Sequence, residues 1–316
     1  MNSKIKKSLS LILPLIFGGG LVWYLFTIIP PKTLLEYFKK ANYWWIALGL
    51  FFGILSHLSR AYRWKFLLEP MGYAPRFTNS FLAVLIGYFV NLAIPRAGEV
   101  SRATVMANYE GIPFEKGFGT IIAERVADLV MMFLVIGVTL LIQFEFIYQL
   151  LKENFDPIKL SLTALIAFIG SLLFFRYVKK SKSGFGGKIK KFLKSLVEGI
   201  TSIFRMKDKW AFIFHTVFIW AMYILMFWAT IPAIEGLSVP FGGVLVGFIA
   251  GALSIAATNG GIGLYPLAVA GAFTLFNVPE EPSTAFGSVM WAAQTVMVIV
   301  FGGLSFLVLP ILNKEK

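Results

Sequence analysis

The chain has 316 residues, 58% hydrophobic and 14% charged, with mean hydropathy +0.77 and a formal charge of +13. A soluble domain carries roughly 25% charged residues, and apolar runs near the ~20 residues that cross a bilayer indicate a polytopic helical membrane protein, not a barrel of short alternating strands. With no cysteine, two histidines (His57 and His215) and three aspartates, the sequence excludes disulfides, thiolate chemistry, a His-Glu-x-x-His metal site and an Asp-x-Asp metal–phosphate site, and no cofactor is expected.

Lys4, Lys6 and Lys7 precede an apolar run over 9–29. No small-x-small cleavage site follows, so this run reads as an uncleaved anchor and first span. Residues 32–42 predict a short interfacial helix, with Thr33 and Glu36 at capping-box spacing. A second span over 43–62 opens on Tyr43, Trp44 and Trp45, an interfacial aromatic belt. Gly49 and Gly53 have close-packing spacing within it. His57, Arg60 and Arg63 at its end read as side chains reaching out at the membrane edge; the other reading places them around an internal cavity.

Residues 79–94 are apolar but short, and Pro95 stops the helix. Further spans are predicted over 120–143, 157–176, 210–233 and 284–309, the last with Gln294 in its middle. Between Arg176 and Lys209 lie eleven Lys and Arg. Within this loop, apolar residues at helical spacing and lysines on the other face predict a helix over 185–206 lying on an anionic lipid surface. Residues 241–277 form a second interrupted segment. A Gly243, Gly247, Gly251 stripe suits tight helix contact, and Thr258-Asn259-Gly260-Gly261-Ile262-Gly263-Leu264-Tyr265-Pro266 breaks the helix.

Charge parity sets the expected topology. If 79–94 crossed the membrane, an internal N-terminus would put the eleven basic residues of the 177–209 loop outside, against the positive-inside rule. If 79–108 and 241–277 instead enter from opposite faces and return, 21 of the 29 Lys and Arg fall inside, five outside, and Arg96, Arg102 and Arg125 at membrane depth. The expected fold is therefore an all-α integral membrane protein, one polytopic domain over 1–316. It has about six full transmembrane helices plus two broken or re-entrant hairpins, an inverted-repeat arrangement with a site near the midplane. Both termini are expected in the cytoplasm. The net positive charge then reflects topology and anionic lipid, with no nucleic-acid partner implied.

The residues that need explaining lie between Leu85 and Asp128. Asn91, the Pro95-Arg96-Ala97-Gly98-Glu99 break, Arg102, Glu124, Arg125 and Asp128 sit close to or inside apolar segments. Intramembrane ions mark function by default. Arg96, Arg102 and Arg125 balance Glu99, Glu124 and Asp128, as mutual pairing requires. Glu99 with Arg102, and Glu124 with Asp128, share helix faces, and one connected polar network is expected.

The pattern Asn91-x3-Pro95-Arg96-x-Gly98-Glu99-x2-Arg102, then Glu124-Arg125-x2-Asp128, then Gly260-Gly261-x-Gly263, resembles the lysylphosphatidylglycerol synthase transmembrane-region family of flippase-like membrane proteins. In the multiple peptide resistance factor a related domain is fused to an aminoacyl-transferase domain and moves aminoacylated phosphatidylglycerol between leaflets. Here 316 residues leave no room for the transferase. The resemblance implies a stand-alone, non-enzymatic translocator of membrane phospholipids or a polyprenyl-linked lipid in the cytoplasmic membrane. It implies a cavity lined by the residues of these motifs, Asn259 and Tyr265 included. Many members carry an acidic residue just after the second glycine motif, where this chain reads Leu264-Tyr265-Pro266. Two other readings stay open: an integral membrane transferase with Glu99 or Asp128 as general base, and charges that only hold helices together.

Overall fold

The computed structural model describes residues 19–154, 176–181, 206–258 and 260–314, with a few one- to three-residue stretches between 166 and 203. The predicted span over 157–176 and the basic helix over 185–206 fall for the most part outside the described residues. So do residues 1–18 and Asn259. The described residues are helical, with no strand among them. They divide into two compact units, one of residues 1–122 with 210–316, the other of residues 123–209.

Three helices are long and apolar enough to cross a bilayer: Phe114–Ile142, Lys209–Ala233 and Glu280–Ile311. A fourth span arises if Pro31–Lys40 and Tyr43–Met71, bent by 83°, count as one. The first of this pair opens on Pro31, and the Thr33–Glu36 capping box is not formed. Proline already fixes the first helical φ and lacks an N–H to cap. The next helix, Tyr43–Leu68, is capped by the Asn42 side chain, which accepts from the Trp44 amide at 3.1 Å.

Two segments fold back on themselves within the first unit. Phe77–Ala93 turns at residues 94–97 into Gly98–Glu110. Phe241–Ala257 turns at residues 258–263 into Leu264–Thr274. The turns need their particular residues. In the second, Gly260, Gly261 and Gly263 all hold φ between +68° and +82°, the left-handed region that glycine enters without a Cβ penalty. In the first, the backbones cross so closely that a Cβ on Gly98 would run into the Gly87 carbonyl oxygen. The predicted glycine stripe carries the second crossing: Gly247 and Gly251 receive the Phe273 and Tyr265 rings.

The Glu280–Ile311 helix measures the depth of both turns. Its first half runs antiparallel to the second return arm, with Phe286 stacked on Phe273 at 5.5 Å and the Trp291 indole donating to the Gly260 carbonyl at 2.8 Å. Its second half runs antiparallel to the first hairpin: Gly302 lies against Phe89 and the Leu85 carbonyl, Phe306 against Phe89, and Asn313 against Asn79. From Phe89 to the turn is roughly 10 Å at 1.5 Å rise per residue. Both turns therefore end near the middle of this 32-residue helix, having come from its opposite ends. A Cβ on Gly260 would lie 3.7 Å from Leu92, so the turns also approach one another.

The Tyr43–Leu68 helix and the Lys209–Thr230 helix lie antiparallel at close range. Gly49 faces Thr230 and the Met226 carbonyl, and Gly53 faces the Met226 sulfur. Side chains such as Trp44 and Trp210 stay exposed, as an interfacial belt requires. In the second unit Phe133, Leu134, Val138 and Leu141 stay exposed on the Phe114–Ile142 helix, a surface suited to lipid.

Candidate functional site

At the first turn, the Asn91 carboxamide oxygen accepts from the Gly98 amide at 2.7 Å. It thereby satisfies a donor that the new helix leaves open. Pro95 and Arg96 are exposed at the tip, and Arg96 adopts φ 65°, a left-handed conformation uncommon for a residue with a side chain. Glu99 is half-buried in the first turn of the return arm. Arg102, one turn on, is buried. Its stem crosses Gly87, and its guanidinium lies over the Trp64 ring at 4.2 Å. At the second turn the Thr258 hydroxyl accepts from the Gly261 amide at 3.1 Å. Buried Tyr265 receives a hydrogen bond from Gln294 at 3.4 Å.

The residues read from sequence as a membrane-edge group require a correction. Tyr43–Leu68 continues well past residue 62, so His57, Arg60 and Arg63 lie inside the helix and inside the protein. Arg63 is fully buried: it donates to Thr216 at 2.9 Å and lies over the Phe212 ring at 5.2 Å. Arg60 donates to the Tyr223 hydroxyl at 3.3 Å. The Tyr223 and Tyr88 hydroxyls are 3.2 Å apart, and the His57 ring packs on Tyr88 at 4.6 Å. One polar cluster thus joins Tyr43–Leu68, the first hairpin and Lys209–Thr230. Its signal in the sequence was the spacing of His57, Arg60 and Arg63, three apart on one helix face. Tyr88, Thr216 and Tyr223 carried no such signal, since a Tyr or Thr in an apolar run is ordinary.

Glu124, Arg125 and Asp128 belong to the second unit. Glu124 is fully buried and Asp128 nearly so, while the Arg125 side chain is 44% exposed and stands 3.9 Å from Asp128. The two acids occupy one helix face and Arg125 turns off it, as the i, i+4 spacing requires.

A further knot was illegible in the sequence. At the base of the first hairpin, Asn79 and Asn313 exchange two hydrogen bonds of 3.0 Å. Glu110 accepts from Asn79 and from Arg76, and Arg76 also donates to Asn313. A pair 234 residues apart leaves no local pattern.

The family model described as the lysylphosphatidylglycerol synthase TM region matches residues 11–303. A UPF0104 membrane protein of Methanocaldococcus jannaschii is 27% identical over 98% of this chain and 97% of its own length. No solved structure matches the chain.

Proposed function

This chain belongs to the lysylphosphatidylglycerol synthase transmembrane-region family, and on that premise we propose that it moves a lipid or lipid-linked head group across the cytoplasmic membrane. One observation carries the reading. Two broken hairpins come from opposite ends of the Glu280–Ile311 helix and end near its middle, where Arg96 is exposed. Paired broken helices of this kind mark midplane sites in transporters. Irregular backbone at that depth is tolerated only against protein or a water-filled path. An exposed guanidinium there offers a head group a bidentate oxyanion contact, while its acyl chains remain in lipid. Asn91, Pro95 and Gly98 shape the first tip, Gly260, Gly261 and Gly263 the second. Glu99, Arg102 and Tyr265 stand behind them, and we assign Asn259 to the same lining from its place in the motif. Glu124, Arg125 and Asp128, in the second unit, are proposed as candidate residues from their own motif alone.

The test uses purified protein in vesicles carrying fluorescent lipids and measures the loss of protected fluorescence after an impermeant reductant is added. The expected result is accelerated exchange of at least one of phosphatidylglycerol, lysylphosphatidylglycerol and a polyprenyl phosphate. Arg96→Gly relieves a left-handed backbone worth roughly 1–2 kcal/mol, so it should fold at least as well. It should also slow exchange about tenfold, the loss of about 1.4 kcal/mol of binding. No acceleration across the panel overturns the reading; wild-type exchange by Arg96→Gly removes Arg96 from the site.

The orientation is proposed with it: both termini and the basic loop between Arg176 and Lys209 face the cytoplasm. The native chain has no cysteine, so Gly187→Cys supplies a single label. It is expected to react with an impermeant maleimide only after cells are opened. Labelling from outside intact cells would invert the topology.

A further inference from the structure

We infer that the two halves of the first unit rock against one another as rigid bodies, and that Asn79 and Asn313 form a latch that closes the seam between them at the base of the first hairpin. The inference rests on the translocation reading and names the parts that move.

One run of elements occurs twice. Tyr43–Leu68, a short turn over Glu69–Met71 and the first hairpin follow in order; Lys209–Thr230, a short turn over Ile231–Ala233 and the second hairpin repeat it. Each turn has proline as its second residue, Pro70 and Pro232. The first arm of each hairpin is 17 residues long, opens on Phe and ends on Ala. Each copy also has an apolar core of its own. In the first, Trp64 and Leu68 pack with Ala83, Ala103 and Met106. In the second, the Phe227 ring meets Phe248, Phe273 and Phe286 at 6.2, 6.0 and 5.1 Å. Pulling such a core apart opens cavities, so each copy keeps its shape.

The contacts between the copies are of another kind. Gly49, Gly53 and Gly302 each lie against an element of the other copy. A face without side chains has no ridge to set into a groove, so it resists small rotations least. Hydrogen bonds also cross the seam, from Arg63 to Thr216 and between Ser59 and His215. Such bonds exchange for water at modest net cost. The seam is tied at the base of the first hairpin. Asn79 and Asn313, both buried, exchange two bonds of 3.0 Å. Arg76 donates to Asn313, and Glu110 accepts from Arg76 and Asn79. Leu82 and Ile86 cover Leu309 just beyond. The second hairpin has Gly243 where the first has Asn79, the third residue of the arm in each, and Gly243 faces Val239 and Phe276. The knot thus belongs to one copy and biases an otherwise matching pair toward one of two states. Inverted repeats give alternating access by rocking on one another. Opening this knot lets the seam part from the hairpin base toward the tip that carries Arg96.

The experiment reads the seam both with and without transport. The native chain has no cysteine, so Asn79→Cys with Asn313→Cys places one pair of thiols across it. A short bifunctional methanethiosulfonate bridges them in the purified full chain, and the mass confirms the bridge. In vesicles carrying the fluorescent lipids above, the bridged protein should exchange lipid at least ten times more slowly than the same protein after reduction. Ile86→Cys reports on the seam in detergent, with no lipid moved. Its labelling by a water-soluble maleimide should become severalfold faster when Asn313→Ala is added, with melting temperatures showing both proteins folded. A bridged protein that exchanges lipid at the rate of the unbridged one overturns the latch. So does labelling that Asn313→Ala leaves unchanged. Faster labelling with no exchange by any variant or the wild type would keep the latch and sink translocation. Exchange that ignores the bridge would do the reverse.

Discussion

Replacing Gly98 with alanine is expected to destabilise the protein by about 2–3 kcal/mol, within the range for forcing atoms into a packed interior. The added methyl would collide with the Gly87 carbonyl oxygen and lie 2.6 Å from the Asn91 carboxamide nitrogen. Neither neighbour yields cheaply. The first is backbone, and the second holds the Gly98 amide in its cap. The first hairpin would have to open where its arms cross, displacing Arg96 and the turn with it. Gly271→Ala is the control: nothing lies within 4 Å of a Cβ there, and alanine favours a helix interior by about 1 kcal/mol. Melting temperatures in detergent would separate the two, and equal melting of both variants would contradict the close crossing.

Arg63→Ala is expected to cost about 2–5 kcal/mol, the usual loss when a large buried side chain is cut back to alanine. The side chain is fully buried; its guanidinium holds Thr216 and lies over Phe212, so it joins Tyr43–Leu68 to Lys209–Thr230. Truncation leaves a cavity and removes the bond that the Thr216 hydroxyl accepts, though that hydroxyl still donates to the Phe212 carbonyl at 2.7 Å. Arg63→Lys should recover only part of the loss, because an ammonium cannot bond Thr216 and cover the ring as a planar guanidinium does. Arg76, half-exposed at the base of the first hairpin, provides the comparison. Its alanine variant should cost no more than about 1 kcal/mol of ion-pair energy. An Arg63→Ala protein that melts with the wild type would mean that the residue does not bind these helices together.

The two expectations differ in how much of each was legible beforehand. Gly98 stood out in the sequence as part of a break after Pro95, and the turn back of the chain followed from charge parity. Arg63 was read at the wrong depth. Three cations or near-cations at the end of an apolar run look the same whether the helix stops there or continues, because local sequence does not state what a neighbouring helix covers. The Thr33–Glu36 spacing failed for a different reason: Pro31 already opened that helix, and one helix start takes one cap.

The sequence by itself determined the helical membrane class, the two breaks and the glycine stripe. All three rest on short-range physics: the apolar length that a bilayer demands, the missing N–H of proline and the absent Cβ of glycine. It also isolated Arg96, Gly98, Arg102 and the glycines of the second turn, since polar or flexible residues in apolar surroundings are visible without a partner. Only the tertiary structure decided that Arg60 joins Tyr223 and Tyr88, that Asn79 closes on Asn313, and that both turns end at the middle of one helix. Those pairings depend on helix register and crossing, which are set by packing between segments up to 234 residues apart and leave no periodicity along the chain.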